Sequence, residues 1–128
     1  MKNKFKILLV EDNPFNQKIV KFNLNKNNHE VVTAMSGMEA IEIFRKEKFD
    51  FILMDIMMPE MDGLETSVKI RSIEKELQIK KETPIIALTA NTLDNDREKC
   101  INHGMNEYMT KPFKMDKLME ILDFLDIY

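Results

Sequence analysis

Side chains that could react stand at the ends of four short apolar runs in this sequence. They are, in chain order, Glu11 with Asp12, then Asp55, Thr89 and Lys111. An apolar run too short for a helix and bounded by turn residues is typical of a strand buried on both faces. A polar residue that follows such a strand lies at the rim of the sheet, where water and ions can reach it. The four runs therefore predict a site built from carboxylates, a hydroxyl and an amine.

Carboxylates crowded into one crevice repel each other unless a cation lies among them. Neither histidine nor cysteine stands near Glu11, Asp12 or Asp55 in the sequence. Ligands that are all oxygen favour Mg²⁺, which keeps several waters and often bridges to a phosphate. These three residues are therefore the predicted metal ligands.

Asp55 is the predicted nucleophile, because carboxylates can form aspartyl-phosphate intermediates. Phosphoryl transfer depends mainly on positioning and on charge neutralisation. The Lys111 ammonium can neutralise phosphoryl oxygens, and the Thr89 hydroxyl can donate a hydrogen bond to one of them. Each residue taken singly has a structural alternative: Asp55 as the end of a strand, Lys111 as a surface lysine and Thr89 as a helix cap. Their combination at successive strand ends favours the reactive site.

The elements that must position these residues alternate along the chain. Strands are predicted at 6–10, 31–34, 51–55, 84–88 and 105–109. Helices are predicted at 14–26, from 36, at 64–77, at 92–102 and from 115. This alternation predicts an α/β fold, a doubly wound five-stranded parallel sheet with helices on both faces. In such folds ligands bind beyond the carboxyl ends of the strands.

Apolar residues at helical spacing predict which helix faces pack on the sheet. The predicted core residues of the helices are Phe15, Ile19, Val20, Phe22, Met38, Ile41, Phe44, Val68, Leu118, Ile121, Leu122 and Leu125. The fourth helix is mostly polar, so it is expected to be the helix most easily shifted.

Composition narrows the class of protein. With 128 residues, 44% of them hydrophobic and 32% charged, the chain is expected to form one globular domain. A net charge of −3 argues against a general nucleic-acid or membrane-surface binder, and no apolar run approaches the roughly 18 residues that span a bilayer. The single cysteine, Cys100, excludes an internal disulfide and favours a reducing, cytoplasmic setting. Abundant Lys and Asn with no Trp favour an AT-rich, bacterial genome.

Four motifs together resemble the response-regulator receiver domain. They are E-D-N-P-F-N-Q at 11–17, M-D-I-M-M-P-E-M-D-G at 54–63, I-A-L-T-A-N at 86–91 and Y-M-T-K-P-F at 108–113. The resemblance covers nearly the whole chain, so residues 1–128 are expected to be one receiver with no output domain. It implies a flavodoxin-like sheet in the order 2-1-3-4-5. The residues of these motifs are most similar to those of the receivers of hybrid histidine kinases.

The resemblance also implies roles for individual residues. Asp55 would accept a phosphoryl group from a sensor histidine kinase or a histidine phosphotransfer protein. Glu11 and Asp12 match the acidic pair that holds Mg²⁺, with Asp12 as the direct ligand, and the backbone carbonyl of Met57 would be another ligand. No direct contact with nucleic acid or membrane is implied.

A switch is implied at the other end of the site. Thr89 matches the family's switch hydroxyl, Tyr108 its switch aromatic and Lys111 its site lysine, and the peptide bond between Lys111 and Pro112 is expected to be cis. Phosphorylation would change the surface formed by the fourth helix, the fifth strand and the last helix.

Two other functions remain possible at this point. A haloacid-dehalogenase-like phosphatase also combines Asp, Thr and Lys with Mg²⁺, but it needs an acid/base Asp two residues after the nucleophile, where this chain has Met57. A flavin- or nucleotide-binding module would need a glycine-rich loop after the first strand, and residues 11–14 are acidic and contain no glycine. A receiver would act on its own phosphoryl group only and turn over no external substrate.

Overall fold

A computed structural model of the protein describes residues 4–90 and 96–127. Five strands alternate with five helices in the predicted order. Their bounds are β1 Lys6–Val10, α1 Pro14–Lys26, β2 Glu30–Ala34, α2 Gly37–Lys46, β3 Phe51–Asp55, α3 Gly63–Glu76, β4 Ile85–Thr89, α4 Asp96–Asn102, β5 Glu107–Thr110 and α5 Met115–Phe124. The predicted start of the fourth helix, at residue 92, lies outside the described residues.

The strands form one parallel sheet in the order β2-β1-β3-β4-β5, which confirms the predicted doubly wound topology. The register brings the carboxyl ends of the central strands to the same level. Val10 of β1 pairs with Met54 of β3, Asp55 pairs with Leu88 of β4, and Thr89 follows directly. The strand order reverses between β1 and β3, which is where a doubly wound sheet opens a ligand crevice.

Side chains that alternate along the strands divide the core into two layers. One layer lies between the sheet and α2, α3 and α4, where Phe44, Ile70 and Cys100 are buried. The other lies between the sheet and α1 and α5, where Leu24 and Leu118 are buried. The central strands are buried on both faces, as their unbroken apolar runs predict.

The predicted apolar face of α1 is wrong except at Val20. The helix packs on the sheet through Val20 and Leu24, while Phe15 is 64% exposed, Ile19 45% and Phe22 67%. Both sets satisfy helical spacing. At about 100° per residue they lie on nearly opposite sides of the helix. Only the position of α1 on the sheet decides which set is buried.

Two further helix residues predicted to be core are exposed, namely Met38 of α2 and Val68 of α3. On α3 the hydroxyls of Thr66 and Ser67 are buried instead, because they donate hydrogen bonds of 2.7 and 2.8 Å to backbone carbonyls one turn earlier. Small polar residues satisfied in this way can pack against an apolar layer. The predicted core face of α5 is confirmed at Leu118, Ile121 and Leu122, and Leu125 is half-buried there.

The fifth strand is shifted along the chain from its predicted position. It begins at Glu107 and includes Thr110, which pairs with Thr89 of β4. Met105 is buried before the strand starts. The peptide bond between Lys111 and Pro112 is cis, as expected. Among the described residues, no helix combines the length and apolar character that crossing a membrane requires.

Candidate active site

The residues predicted from separate strand ends lie together at the carboxyl edge of the sheet. Glu11 follows β1 directly, Asp55 is the last residue of β3 and Thr89 is the last residue of β4. All three side chains are almost fully buried. Because β1, β3 and β4 are neighbours in the sheet, these three positions are adjacent in space.

Lys111 joins two of the carboxylates across this edge. Its Nζ lies 3.3 Å from Oδ1 of Asp55 and 3.4 Å from Oε1 of Glu11. Its backbone N–H donates to the Thr89 carbonyl at 2.8 Å, which ties the end of β5 to the end of β4. Burial lowers the pKa of Lys111, but the charges of Asp55 and Glu11 outweigh that effect, so its pKa is raised. The ammonium is therefore a fixed positive charge beside Asp55.

Glu11, Asp12 and Asp55 form the predicted acidic cluster. One carboxylate oxygen from each residue lies within 4.8 Å of the other two. Burial raises the pKa of Glu11 to about 6, a hydrogen bond to Asp55 and the charge of Asp55 add to the effect, and Lys111 and the backbone N–H of Asn13 oppose it.

The second carboxylate oxygen of Glu11, Oε2, is buried and has no hydrogen-bond partner among the described residues. A buried acceptor without a partner is costly. A hard divalent cation among the three carboxylates would remove both that cost and their mutual repulsion. The donor set therefore fits Mg²⁺.

Gln17 supports the acidic cluster from α1, a role that the sequence patterns did not reveal. Its side-chain amide donates to the carbonyls of Glu11 at 3.2 Å and of Ala34 at 3.4 Å. The Glu11 N–H in turn donates to the Ala34 carbonyl at 3.0 Å. Gln17 thus fixes the chain just beyond β1 against the end of β2. The only signal in the sequence is its place in the first turn after the Asn13 cap.

Gly63 is a second supporting residue missed from the sequence. It opens α3 immediately after the Asp62 cap, and its N–H donates to the Ile56 carbonyl at 2.9 Å. A side chain at Gly63 would overlap the backbone carbonyl of Asp55. Glycine therefore allows the start of α3 to lie against the end of β3, and the aspartate-glycine pair after a loop was its signal.

Met57 occupies the position where a phosphatase of the alternative family needs an acid. Its side chain is 75% exposed and carries no proton to transfer. Its backbone N–H donates to Oδ1 of Asp55 at 3.3 Å, so the loop helps to orient that carboxylate. The predicted use of the Met57 carbonyl as a metal ligand stays a prediction.

The two predicted switch residues lie on neighbouring strands. Thr89 is buried at the end of β4, and Tyr108 of β5 is half-buried against the core layer that contains Ile85 and Cys100. A cavity of about 410 Å³ adjoins Thr89 and is lined also by Ile56, Leu64 and Cys100. The structure therefore provides space for a rearrangement beside Thr89, while the switch itself stays a prediction.

Known proteins with the same pattern are numerous. A family model described as the response regulator receiver domain matches residues 7–123. Hybrid signal transduction histidine kinase K of Dictyostelium discoideum is 38% identical over 122 residues, which cover 92% of this chain and 10% of that protein. The chain spans between 6% and 15% of the length of this and seven other curated relatives.

Solved structures agree with this assignment. The receiver domain of the sensor histidine kinase PA1611 from Pseudomonas aeruginosa PAO1, with a magnesium ion in its active-site cleft, is 40% identical with a TM-score of 0.80, covering 94% of this chain and 96% of that one. The Saccharomyces cerevisiae co-crystal structure of the histidine phosphotransfer protein Ypd1 and the receiver domain of Ssk1 contains a chain that is 32% identical with a TM-score of 0.84, covering 94% and 88%.

The relatives come from eukaryotes as well as bacteria, so they do not support the bacterial source expected from composition. The solved structures do agree with the fold described above. Since the family model spans residues 7–123, from β1 into α5, the chain belongs to the response regulator receiver domain family of two-component signalling.

Proposed function

We propose that this receiver is a phosphoacceptor in which Asp55 takes a phosphoryl group from a phosphohistidine with the help of Mg²⁺. The observation that carries the proposal is the position of Lys111, whose ammonium lies 3.3 Å from Asp55 within a cluster of three carboxylates. A cation and a metal-binding acidic pair beside one buried carboxylate is the arrangement that phosphoryl transfer to that carboxylate requires.

In the proposed reaction, a carboxylate oxygen of Asp55 attacks phosphorus and the phosphorus–nitrogen bond of the donor breaks. The imidazole nitrogen keeps the bonding electron pair and takes a proton from water. Lys111 and the Met57 N–H hold Oδ1 of Asp55, so the carboxylate is oriented before the donor arrives. The Thr89 hydroxyl would then donate to a phosphoryl oxygen.

Glu11, Asp12, Asp55 and the Met57 carbonyl would hold Mg²⁺, with Asp12 as the direct ligand of the acidic pair. Bound there, the ion neutralises charge on the phosphoryl oxygens. The buried Oε2 of Glu11 supports this assignment, because a bound cation or its water would supply the partner that this oxygen lacks.

We propose that the protein changes only its own phosphorylation and does not turn over an external phosphate ester. The position two residues after Asp55 is Met57, which cannot protonate a leaving group. Hydrolysis of the aspartyl phosphate needs only water, whereas catalysis on an external ester needs a proton donor for the leaving oxygen.

The phosphodonor is proposed to be a sensor histidine kinase or a histidine phosphotransfer protein that docks on α1. The surface of that helix exposes Phe15, Ile19 and Phe22, defined here as the α1 stripe. A cleft of about 370 Å³ lined by Ile19, Lys111 and Phe113 adjoins the stripe. An apolar surface that leads directly to the reactive residues suits a donor that must bring its histidine to Asp55.

Residues 1–128 are proposed to act as one receiver domain in the cytoplasm. The family model accounts for residues 7–123. The single cysteine, Cys100, is buried and forms no disulfide, which fits a reducing compartment.

Phosphorylation by acetyl phosphate tests the proposed acceptor. Wild-type protein should gain one phosphoryl group by intact-mass measurement only when Mg²⁺ is present, and base should remove it. Asp55→Asn should lose all labelling, while Asp123→Asn on the exposed side of α5 should label like wild type. Full labelling of Asp55→Asn would move the acceptor to another residue.

The docking surface is tested in the same assay with a second donor. Phe15→Ser with Phe22→Ser should accept phosphoryl groups from a phosphorylated histidine phosphotransfer protein at least about tenfold more slowly than wild type. Labelling by acetyl phosphate should be unchanged, because that donor needs no docking surface. Phe124→Ser removes a similarly exposed aromatic from α5 and should leave both rates unchanged. Equal loss with both donors would mean that the α1 variant damages the site itself.

A further inference from the structure

A groove lies at the edge of the sheet opposite the active site. It has a volume of about 720 Å³ and runs between the carboxyl-terminal ends of α2 and α3. Its lining includes four large apolar residues, the buried Phe44 and Phe49 and the half-exposed Leu77 and Ile79. Since β3 is five residues long, the groove lies roughly 16 Å or more from Asp55.

The rim of this groove is basic. Five cationic residues line it, against one carboxylate: Arg45, Lys46, Lys48, Lys80 and Lys81, with Glu47. Glu47 is already paired with Lys6 at 2.8 Å, and Arg45 is paired with Glu76 at 2.7 Å. In the parts of the chain that the structure describes, the four lysines have no carboxylate within 4 Å, and all four are exposed. We call this surface the basic groove.

The basic groove stands out because the protein as a whole carries a net charge of −3. Neither the fold nor phosphoryl transfer needs four unpaired lysines around an apolar trough. Like charges held close together destabilise the protein unless a partner neutralises them. Apolar surface and concentrated charge of one sign in the same groove indicate a binding surface.

We propose that the basic groove binds an acidic peptide segment of a partner protein, one that carries apolar residues between its carboxylates. The lysine rim would pair with the carboxylates, and Leu77 and Ile79 would receive the apolar side chains. A nucleic acid fits less well, because Phe44 and Phe49 are too buried to stack on bases and the protein as a whole carries a net charge of −3. A membrane surface fits less well because the apolar residues lie within a groove. This inference goes beyond phosphoryl transfer and does not depend on it.

A phage-displayed library of random peptides tests the proposal. Peptides should be selected on wild-type protein and counter-selected on Lys80→Glu with Lys81→Glu, which reverses two exposed charges. Enriched peptides should combine Asp or Glu with Leu, Ile or Phe, and a synthetic copy should bind at least about tenfold more weakly to the double variant. Ile79→Ser should also weaken binding. Lys18→Glu with Lys21→Glu, two exposed lysines on α1, should bind like wild type.

When the peptide is added to wild-type protein, the amide NMR chemical shifts of residues 45–49 and 77–83 should change. Added salt should weaken the binding of the peptide. The proposal is overturned if no acidic peptide is enriched, if the shifts fall elsewhere, or if both double variants bind equally. It is also overturned if phosphatidylserine vesicles or single-stranded DNA bind through the same lysines while the peptides do not. Unchanged labelling of the variants by acetyl phosphate would establish that they are folded, whatever the outcome for peptides.

Discussion

Glu11 is a carboxylate that the fold removes from water without supplying all of its hydrogen bonds. Its Oε2 is buried without a partner among the described residues, and burial is the main reason for its raised pKa. The Lys111 ammonium lies 3.4 Å from the other carboxylate oxygen, Oε1, and therefore offsets only part of the cost of burying this carboxylate. At the scale of single residues, the site is therefore arranged for a cation that completes it, since an isolated buried acceptor is unfavourable.

His29 is a buried residue with a different consequence, a pH-dependent stability. Its Nδ1 accepts a hydrogen bond of 3.1 Å from the Phe5 N–H, and its ring lies 5.3 Å from the Phe5 ring. Burial lowers its pKa, because a charged imidazolium would lose solvation and the acceptor at Nδ1. Unfolding then takes up a proton below about pH 6.5. We predict that the stability supplied by neutral His29 is complete above about pH 6.5 and is lost as the pH falls.

The measurement is urea denaturation of wild type and His29→Asn between pH 5 and 8. Asn keeps an acceptor near Nδ1 but does not titrate, so the stability of wild type relative to the variant should fall below about pH 6.5. The raised pKa of Glu11 acts in the opposite direction, with stability lost as pH rises toward 6, but it is common to both proteins. His103→Asn, at a half-buried histidine, is the control. A pH-independent difference at His29 would contradict the prediction.

At the scale of elements, α1 carries two apolar surfaces, of which only one is buried in the fold. Val20 and Leu24 hold the helix on the sheet, while the α1 stripe stays exposed beside the active site. The sheet can bury only one side of a helix, so the second surface stays exposed. The Asn13 cap fixes the start of the helix through hydrogen bonds to the Phe15 and Asn16 N–H groups.

We predict that occupying Asp55 shifts α4 and β5 through Thr89. In the switch we propose, the Thr89 hydroxyl moves toward the phosphoryl group, and Tyr108 turns inward to fill the space that it leaves. With beryllofluoride and Mg²⁺, which mimic phosphorylated aspartate, amide shifts at residues 96–110 should change in the wild type. Thr89→Ala should still bind the mimic at Asp55 but should show much smaller changes along α4.

Thr110→Ala is the matched control for this switch, because Thr110 pairs with Thr89 across the two strands. Its response to beryllofluoride should resemble that of wild type. If beryllofluoride occupies Asp55 but the amide NMR chemical shifts of residues 96–110 do not change, the domain does not signal through this surface. The rate at which acetyl phosphate labels Thr89→Ala would then show whether Thr89 contributes to phosphoryl transfer even though it has no part in signalling.

At the scale of the whole molecule, a buried polar network joins the amino-terminal edges of β4 and β5 to α3. Arg71 donates to Glu74 and to the carbonyl of Thr83 at 2.8 Å, and to the carbonyl of Gly104 and the side chain of Asn106 at 2.9 Å. Glu74 also accepts from the Thr83 N–H at 2.7 Å. The two charged side chains are only 12% and 3% exposed. The network closes the end of the domain that lies opposite the active site.

We predict that Arg71→Met lowers the free energy of unfolding by about 3–5 kcal/mol, because it removes the cationic partner of the buried Glu74 carboxylate. Adding Glu74→Leu removes that charge, so the double variant should be more stable than the single one. Arg45→Met breaks the exposed pair with Glu76 and should cost less than about 1 kcal/mol. Urea denaturation measures all three. A double variant less stable than Arg71→Met would mean that hydrogen bonding by Glu74 outweighs its unpaired charge.

The sequence by itself determined the alternation of strands and helices and the residues at the strand ends. Apolar runs that close on Glu11, Asp55 and Thr89 are local patterns, and parallel strands bring their carboxyl ends to one edge. The helix caps Asn13 and Asp62 are local in the same way, since each bonds to N–H groups two or three residues further on.

Only the tertiary structure decided which side of α1 is buried, because two sets of residues on that helix have the same helical spacing. It also decided the supporting roles of Gln17 and Gly63, whose contacts depend on how elements meet. The Arg71 network joins residues up to 35 positions apart, and the basic groove combines two segments separated in sequence by all of β3 and α3. Such contacts arise from packing between distant parts of the chain, which spacing along the sequence does not specify.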